Sequence, residues 1–106
     1  MSAIVNVDDV SFEKYLHANK ALIVDFWAPS CAPCHLMEPG LESIALEYRN
    51  QLTILKVNVN ESPKVSSRYL IRTLPTLLFI KEGQVKTQLI GAVNPKQIER
   101  VLHEVL

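Results

Sequence analysis

An apolar run that leads directly into a pair of cysteines, within residues 21–35, constrains the fold of this chain more than any other feature. Residues 21–28 are apolar apart from Asp25, which is typical of a strand buried on both faces of a sheet. The residues after Cys34 carry apolar side chains at helical spacing, so a helix follows the strand. The two cysteines therefore lie at a strand-to-helix turn.

Cys31 and Cys34 are the only cysteines of the chain, and two residues separate them. A helix N-terminus offers unpaired backbone N–H groups and the positive end of the helix dipole, and both favour an anion. We therefore expect the thiolate form of Cys31 to be favoured and to act as a nucleophile. Cys34, one helical turn on, can reach Cys31 to form a disulfide. Pro33 suits the first turn of a helix, where its missing N–H would have had no partner.

Cysteine pairs at this spacing also occur in zinc sites and as inert buried residues. A zinc site normally has four ligands, whereas this chain has no second cysteine pair and its histidines at positions 17, 35 and 103 are scattered. The alternation of strands and helices around the pair favours redox chemistry without a bound metal. The residues alone leave the other two interpretations open.

Strands and helices alternate along the predicted chain. The prediction is a strand over 4–7, a helix from about 8 to 17, a strand over 21–28, a helix over 34–49, a strand over 52–59, a helix over 63–69, strands over 76–80 and 85–90, and a helix from 95 onward. The alternation predicts an α/β fold with a largely parallel sheet covered by helices on both faces. The last two strands form an antiparallel hairpin around the turn at residues 81–84.

Polar side chains mark the expected helix starts. The predicted caps are Asp8 or Asp9 for the first helix, Ser62 for the third, and a capping box of Asn94 and Gln97 for the last. Val10 is expected to face inwards from the first helix.

Asp25 and Lys56 are charged residues inside predicted strands. Burying a carboxylate is costly unless it is paired or protonated, and either state shifts its pKa. Lys56 is the one charged residue of the strand over 52–59. It occupies either a solvated edge position or the place of a partner for Asp25, and the residues alone leave both open.

The 106 residues suit one domain over residues 1–106, and the charges balance to zero. The balanced charge and the lack of a basic patch argue against nucleic-acid binding, and no apolar run is long enough to span a membrane. Residues 1–9 lack the positive start and apolar core of a secretory signal. We therefore expect a cytoplasmic protein, in which a lone cysteine pair is catalytic rather than a structural staple.

Two stretches, DFWA at residues 25–28 and CAPC at residues 31–34, resemble the active-site segment of the thioredoxin family. Residues 71–76, IRTLPT, resemble the family's loop with a cis-proline, and Lys56 and Gly91 fall at matching positions. The similarity runs from about Val10 to the C-terminus. It implies the thioredoxin fold, a central mixed and mostly parallel β-sheet flanked by helices on both faces.

The resemblance implies a protein disulfide oxidoreductase. Cys31 would attack a disulfide of another protein, and Cys34 would then resolve the mixed disulfide by attacking Cys31. Asp25, with Lys56, is the expected acid/base for the proton of Cys34. The Leu74–Pro75 bond is expected to be cis and packed against the dithiol. The expected substrate-binding residues are Trp27, Pro33, Thr73, Leu74, Gly91 and Ala92, although an ordinary strand end is the alternative for Gly91.

The family also implies how the dithiol is recharged. The chain itself has no Gly-rich dinucleotide motif. No bound cofactor is expected, and electrons would come from NADPH through a separate flavin-dependent thioredoxin reductase. The expected partners are that reductase and disulfide-containing proteins, and the expected state is a monomer.

Four residues depart from the usual family pattern. They are Ser30 in place of tryptophan, Ala32 in place of glycine, His35 in place of lysine and Thr73 in place of glycine. His35 can make reactivity depend on pH near 6.5, or it is simply an exposed helix residue. These departures leave partner choice and reduction potential open. Two other functions stay open as well, namely a binding or chaperone subunit of the same fold and a thiol oxidase or isomerase of an oxidising compartment.

Overall fold

A computed structural model describes residues 4–106. Residues 1–3, which belong to the predicted domain and to the segment considered as a secretory signal, lie outside the described residues. The elements follow the predicted order. They are β1 (Ile4–Val7), α1 (Phe12–Ala18), β2 (Ala21–Trp27), α2 (Ala32–Glu47), β3 (Thr53–Asn58), α3 (Pro63–Arg68), β4 (Thr76–Lys81), β5 (Gln84–Ile90) and α4 (Pro95–Val105).

The strands form one mixed sheet in the order β1-β3-β2-β4-β5. β3 pairs in parallel with β1 and with β2, whereas β4 runs antiparallel to both β2 and β5. The predicted mixed α/β fold is thus confirmed, but the parallel part is limited to three strands.

β4 begins at the end of the sheet where β2 finishes, so that Thr76 pairs with Phe26. The six-residue helix α3 and residues 69–75 therefore connect β3 to a strand that runs antiparallel to β2.

Buried side chains form one core on each face of the sheet. On one face, α2 and α4 pack against the strands through Met37, Leu41, Ile44, Ala45, Ile98 and Leu102. On the other face, α1 and α3 contribute Phe12, Leu16 and Val65. Odd-numbered β2 residues such as Ile23 face the α2–α4 layer, while Leu22 and Val24 face the other. Asp25 and Trp27 share the parity of Ile23 and so face α2.

The segment before α1 differs from the prediction. The Asp8 carboxylate accepts hydrogen bonds from the N–H groups of Val10 and Ser11, which closes a turn rather than capping the helix. α1 accordingly starts only at Phe12. Val10 is 89% exposed, so the expectation that it faces inwards is wrong. The buried position belongs instead to Phe12.

Asp9 caps a different helix from the one predicted. Its carboxylate accepts hydrogen bonds from the N–H groups of Lys64 and Val65, at 3.1 and 2.9 Å, in the first turn of α3. Ser62 occupies the N-cap position of α3, but its side chain makes no capping hydrogen bond. The Asp9 carboxylate, 55 residues before Lys64, thus caps α3 in place of the Ser62 hydroxyl. The predicted capping box of Asn94 and Gln97 on α4 is confirmed.

α3 ends with a leucine in the left-handed region. The Leu70 N–H donates to the Ser67 carbonyl and the Ile71 N–H donates to the Ser66 carbonyl, at 3.1 and 3.0 Å. These two hydrogen bonds are those of a Schellman motif, which usually has glycine where this chain has Leu70. Leu70 has a φ of 55° and is 75% exposed. It therefore carries the steric cost of this conformation with little burial in return.

We predict that Leu70→Gly raises the free energy of unfolding by about 0.5–1 kcal/mol, because glycine adopts this φ without a Cβ clash. Urea unfolding of the oxidised protein measures the change. Leu70→Ala is the control, since it shortens the side chain but keeps the Cβ. A Leu70→Gly variant less stable than Leu70→Ala would contradict the prediction.

Candidate active site

Cys31 is the N-cap residue of α2. Its backbone is extended, and its sulfur accepts a hydrogen bond from the Cys34 N–H at 3.2 Å. The Cys31 N–H donates to the Ala28 carbonyl at 3.0 Å, which closes the turn after β2. The sulfur thus occupies the place that a serine or aspartate oxygen takes in an ordinary cap. This position is the one the sequence predicted, and it favours a thiolate once the cysteine is reduced.

Cys31 and Cys34 are joined by a disulfide, with Cα atoms 5.3 Å apart. Cys31 is partly exposed, whereas Cys34 is only 2% exposed. Pro33 lies between them, exposed in the first turn of α2. Cys31 is thus the more accessible of the two cysteines.

Asp25 lies on the central strand β2 and is 1% exposed. Among the residues that the structure describes, neither carboxyl oxygen has a hydrogen-bond partner. Burial raises the pKa of Asp25 to about 7, an effect that the charge of Lys56 opposes and that of Glu38 reinforces. The carboxyl group is therefore able to exchange a proton near neutral pH.

Lys56 is the register partner of Asp25 on the neighbouring strand β3. β3 lies between β1 and β2, so the alternative of a solvated edge position is wrong. The ammonium group is 3.8 Å from a Glu38 oxygen and 4.7 Å from the centre of the Trp27 ring. Within residues 4–106 the ion-pair partner of Lys56 is Glu38, while Asp25 interacts with Lys56 through its charge.

Glu38 is the site residue that sequence reasoning missed. It lies in α2, one turn after His35, and its two carboxylate oxygens contact different cations. One oxygen is 2.8 Å from His35 Nδ1 and the other is 3.8 Å from Lys56 Nζ. The spacing of three residues between His35 and Glu38 was a usable signal for the first contact. No local pattern indicates the second contact, which depends on the packing of α2 against β3.

Trp27 joins these groups at the end of β2. Its ring makes an edge-to-face contact with the His35 ring, with centroids 6.0 Å apart, and lies beneath the Lys56 ammonium. The residue is partly buried, and its role as a wall of the site stays a prediction.

The Leu74–Pro75 peptide bond is cis, as the resemblance implied. Pro75 is buried, and its carbonyl accepts a hydrogen bond from the Gly91 N–H at 2.8 Å. Gly91 has a φ of 87°, where a side chain would be strained, and its role in substrate binding stays a prediction. Thr73 is exposed and Leu74 partly buried. The hydrogen bond from Gly91 to Pro75 joins the proline loop, residues 71–76, to the segment after β5.

The segment after β5 also contacts α2. Ala92 is exposed, and the neighbouring Val93 N–H lies 3.4 Å from the sulfur of Met37. Met37 is buried one turn after Cys34. The segment that carries Gly91 is thus linked to the proline loop on one side and to α2 on the other. Direct packing of Pro75 on the disulfide stays a prediction.

Comparison with known proteins identifies the family. The thioredoxin family model matches residues 3–104. Thioredoxin 1 of Nostoc sp. is 38% identical over 105 residues, which cover 98% of each chain. Thioredoxin of Acidithiobacillus ferridurans is 42% identical over 101 residues, 94% of each chain. This chain belongs to the thioredoxin family.

A chloroplast protein also resembles the chain. Thioredoxin M-type, chloroplastic, of Spinacia oleracea is 40% identical over 89 residues, which are 83% of this chain and 49% of that protein. Family membership and the bonded cysteine pair support thioredoxin-like disulfide oxidoreductase activity, and the thioredoxins are protein disulfide reductases. A redox-active disulfide at the start of α2 is the centre of this chemistry.

Two other kinds of feature are absent from the part of this thioredoxin-family chain that the structure describes. Residues 4–106 contain no group of three or more histidine, cysteine, aspartate or glutamate side chains placed to hold a metal ion. Within the same range, none of the helices is long and apolar enough to cross a membrane.

The raised pKa of Asp25 predicts a pH-dependent effect on stability. The unfolded carboxyl ionises near 3.8, whereas the folded one ionises at about 7. Between these values the native state keeps a proton that the unfolded chain releases, so this group lowers stability as pH rises. Asp25→Asn removes the ionisation. We predict that the stability of Asp25→Asn relative to wild type grows by up to about 4 kcal/mol from pH 4 to pH 8.

Urea unfolding of both oxidised proteins across this pH range measures the difference, and the intrinsic cost of the buried amide cancels from its pH dependence. Glu104→Gln, at an exposed position of α4, supplies a carboxyl-to-amide control that lies outside the site. If the difference in free energy of unfolding between Asp25→Asn and wild type stays constant with pH, the pKa of Asp25 is not raised.

Proposed function

We propose that Cys31 and Cys34 reduce protein disulfides as nucleophile and resolving thiol, respectively. The observation that carries this proposal is the asymmetry of the pair, in which Cys31 is partly exposed at the cap of α2 and Cys34 is buried behind it. The Cys31 thiolate attacks one sulfur of the substrate disulfide and releases the other as a thiolate that takes up a proton. Cys34 then loses its proton and attacks Cys31, which frees the second substrate thiol. The substrate thus gains two electrons and two protons, one released by Cys34 and the other taken from solvent, and the Cys31–Cys34 disulfide forms.

Asp25, assisted by Lys56, is the proposed acid/base group for the buried thiol of Cys34. Its support is burial on the strand that leads into the cysteine turn and a pKa of about 7, close to the working pH. Lys56 is its register partner on β3 and favours the ionised carboxylate through its charge. Asp25 thus has both protonation states available at neutral pH.

The proposed substrate groove follows the ends of the sheet next to the cysteines. Its floor is the buried cis-Pro75, which is hydrogen-bonded to Gly91. An extended substrate segment would lie along the proline loop, as in strand addition. The other proposed contacts are Trp27, Pro33, Thr73, Leu74 and Ala92, of which Pro33, Thr73 and Ala92 are exposed.

The remaining parts of the proposal concern the protein as a whole. Residues 1–106 form one domain, work as a monomer without nucleic acid or membrane, and act on disulfide-containing proteins. Electrons come from NADPH through a separate flavin-dependent thioredoxin reductase, and the protein binds no cofactor itself. The bacterial relatives named thioredoxin support a cytoplasmic location, and the chloroplast relative makes an organelle the alternative.

We predict that catalytic amounts of this protein accelerate the reduction of insulin disulfides by dithiothreitol, followed as turbidity. Cys31→Ser should return the rate to that of dithiothreitol alone, because the attacking sulfur is gone. His17→Gln, on α1, is the matched control and should leave the rate unchanged. Lack of acceleration by folded, fully reduced wild type would exclude the general reductase and favour a binding or chaperone subunit.

We also predict that Cys34→Ser accumulates a mixed disulfide between Cys31 and insulin, because the resolving thiol is absent. Non-reducing electrophoresis detects this species, and dithiothreitol should release it. If Cys31→Ser instead accumulates a mixed disulfide between Cys34 and insulin, Cys34 would be the nucleophile and Cys31 the resolving thiol.

A further inference from the structure

His35 is held by acceptors on both sides of its ring. Nδ1 is 2.8 Å from a Glu38 carboxylate oxygen, and Nε2 is 2.8 Å from the carbonyl oxygen of Pro29. A carbonyl and a carboxylate oxygen can only accept, so both ring nitrogens must donate. A neutral imidazole carries one N–H, whereas the imidazolium carries two. The geometry therefore requires the protonated, positively charged form of His35.

The two contacts of His35 join the loop before the nucleophile to the helix after it. Pro29 lies two residues before Cys31, and Glu38 lies in the second turn of α2. The backbone N–H of His35 also donates to the Cys31 carbonyl at 3.3 Å. The ring of His35 thus contacts the loop before Cys31 and the helix after it, and its backbone contacts Cys31 itself. Loss of the ring proton turns one 2.8 Å contact into a repulsion between two lone pairs, so the neutral ring cannot keep both.

Other charged groups lie on α2 and on the strands β2 and β3. Glu38 on α2 is the direct anionic partner, and Lys56 on β3 is the cation on the other side of Glu38. Asp25 on β2 is the buried carboxyl next to Lys56, and Glu42 shares with Glu38 and Lys56 a cleft of about 240 Å³. The Pro29 carbonyl and Glu38 raise the pKa of His35 above its ordinary 6.5. Both contacts therefore favour the charged form of the His35 ring, while the charge of Lys56 opposes it.

We propose that His35 is a positioning residue for Cys31, whose imidazolium fastens the loop at Pro29 to α2 and favours the thiolate of Cys31 by its charge. Glu38 is the anchor of this arrangement. The proposal deepens the proposed function and rests on it. It assigns to His35 and Glu38 a control of reactivity by pH, separate from the proton transfer assigned to Asp25. Reactivity of Cys31 is expected to rise at lower pH than it would without the charge.

The alkylation of Cys31 by iodoacetamide tests the proposal without a protein substrate. The thiolate displaces iodide and forms a thioether, so the rate reports the thiolate fraction. In a Cys34→Ser background Cys31 is the only thiol. We predict that adding His35→Gln slows alkylation about three- to ten-fold at pH 6, as expected for loss of one nearby, solvent-screened charge. At a pH of about 9.5, where the thiol is ionised in both proteins, the two rates should agree.

Three further variants sharpen this test. His35→Lys keeps the charge and should restore the rate at pH 6 to within about two-fold of the parent. Glu38→Gln should slow alkylation in the same direction as His35→Gln. His17→Gln is the matched control, because His17 also pairs with a glutamate, Glu13 at 2.6 Å, but on α1. A pH profile of His35→Gln that coincides with that of the parent, or a failure of His35→Lys to restore the rate, would overturn the proposal.

The protonation of the ring is measured directly by NMR of the oxidised wild-type protein. Imidazole ¹⁵N shifts of His35 should show both nitrogens protonated at about pH 6.5, with a pKa above that of an ordinary histidine, and Glu38→Gln should lower it. A His35 that titrates at or below about 6.5 would also overturn the proposal. Insulin reduction tests the proposed function separately. If the protein fails to reduce insulin but His35→Gln still slows the alkylation of Cys31, the proposed function fails and the role of His35 stands.

Discussion

Backbone pairing of β2 with strands on both sides is the interaction on which the rest of the structure depends. β2 pairs in parallel with β3 and antiparallel with β4, and all but its last residue are buried. This pairing fixes where the strand ends, and therefore where the cysteine turn begins. It also points Asp25 and Trp27 towards α2 and sets Lys56 beside Asp25. A slip of one residue in this register would turn the two side chains to the other face of the sheet.

The candidate site has two layers of polar groups, and Glu38 contacts both. In the buried layer, Asp25 and Lys56 are register partners on β2 and β3, and burial makes the carboxyl group weakly acidic. In the outer layer, His35 is exposed and hydrogen-bonded to the loop. Glu38 contacts both layers, because its two oxygens bind Lys56 and His35 separately. A substitution at Glu38 therefore alters the surroundings of both Lys56 and His35.

The features predictable from sequence were those that a local pattern encodes. The apolar run of β2, the cysteine spacing and the capping box at Asn94 each need only neighbouring residues to be recognised. The cis bond before Pro75 was different, since only the family resemblance indicated it. Element order followed from these patterns, whereas the direction of β4 depends on its pairing with β2, which no local pattern encodes.

Two features that the prediction lacked involve partners far apart in the sequence. Asp9 caps α3 rather than α1, because folding brings it next to residues 64 and 65. Glu38 gave no sign of its contact with Lys56, which requires α2 to pack across β3. Periodicity cannot register such contacts, since it describes one element at a time. The error at Val10 is local, because Asp8 closes a turn there before the helix begins.

The capping of α3 by Asp9 connects distant parts of the chain. A helix of six residues does not persist alone in water, so α3 depends on the turn before α1 for its first N–H partners. α3 in turn leads directly into the loop that presents Pro75. Transient opening of the segment between β1 and α1 would therefore loosen α3 and the proline loop together. Amide hydrogens of these regions should exchange with solvent as a group, which links the proline loop to fluctuations of the turn before α1.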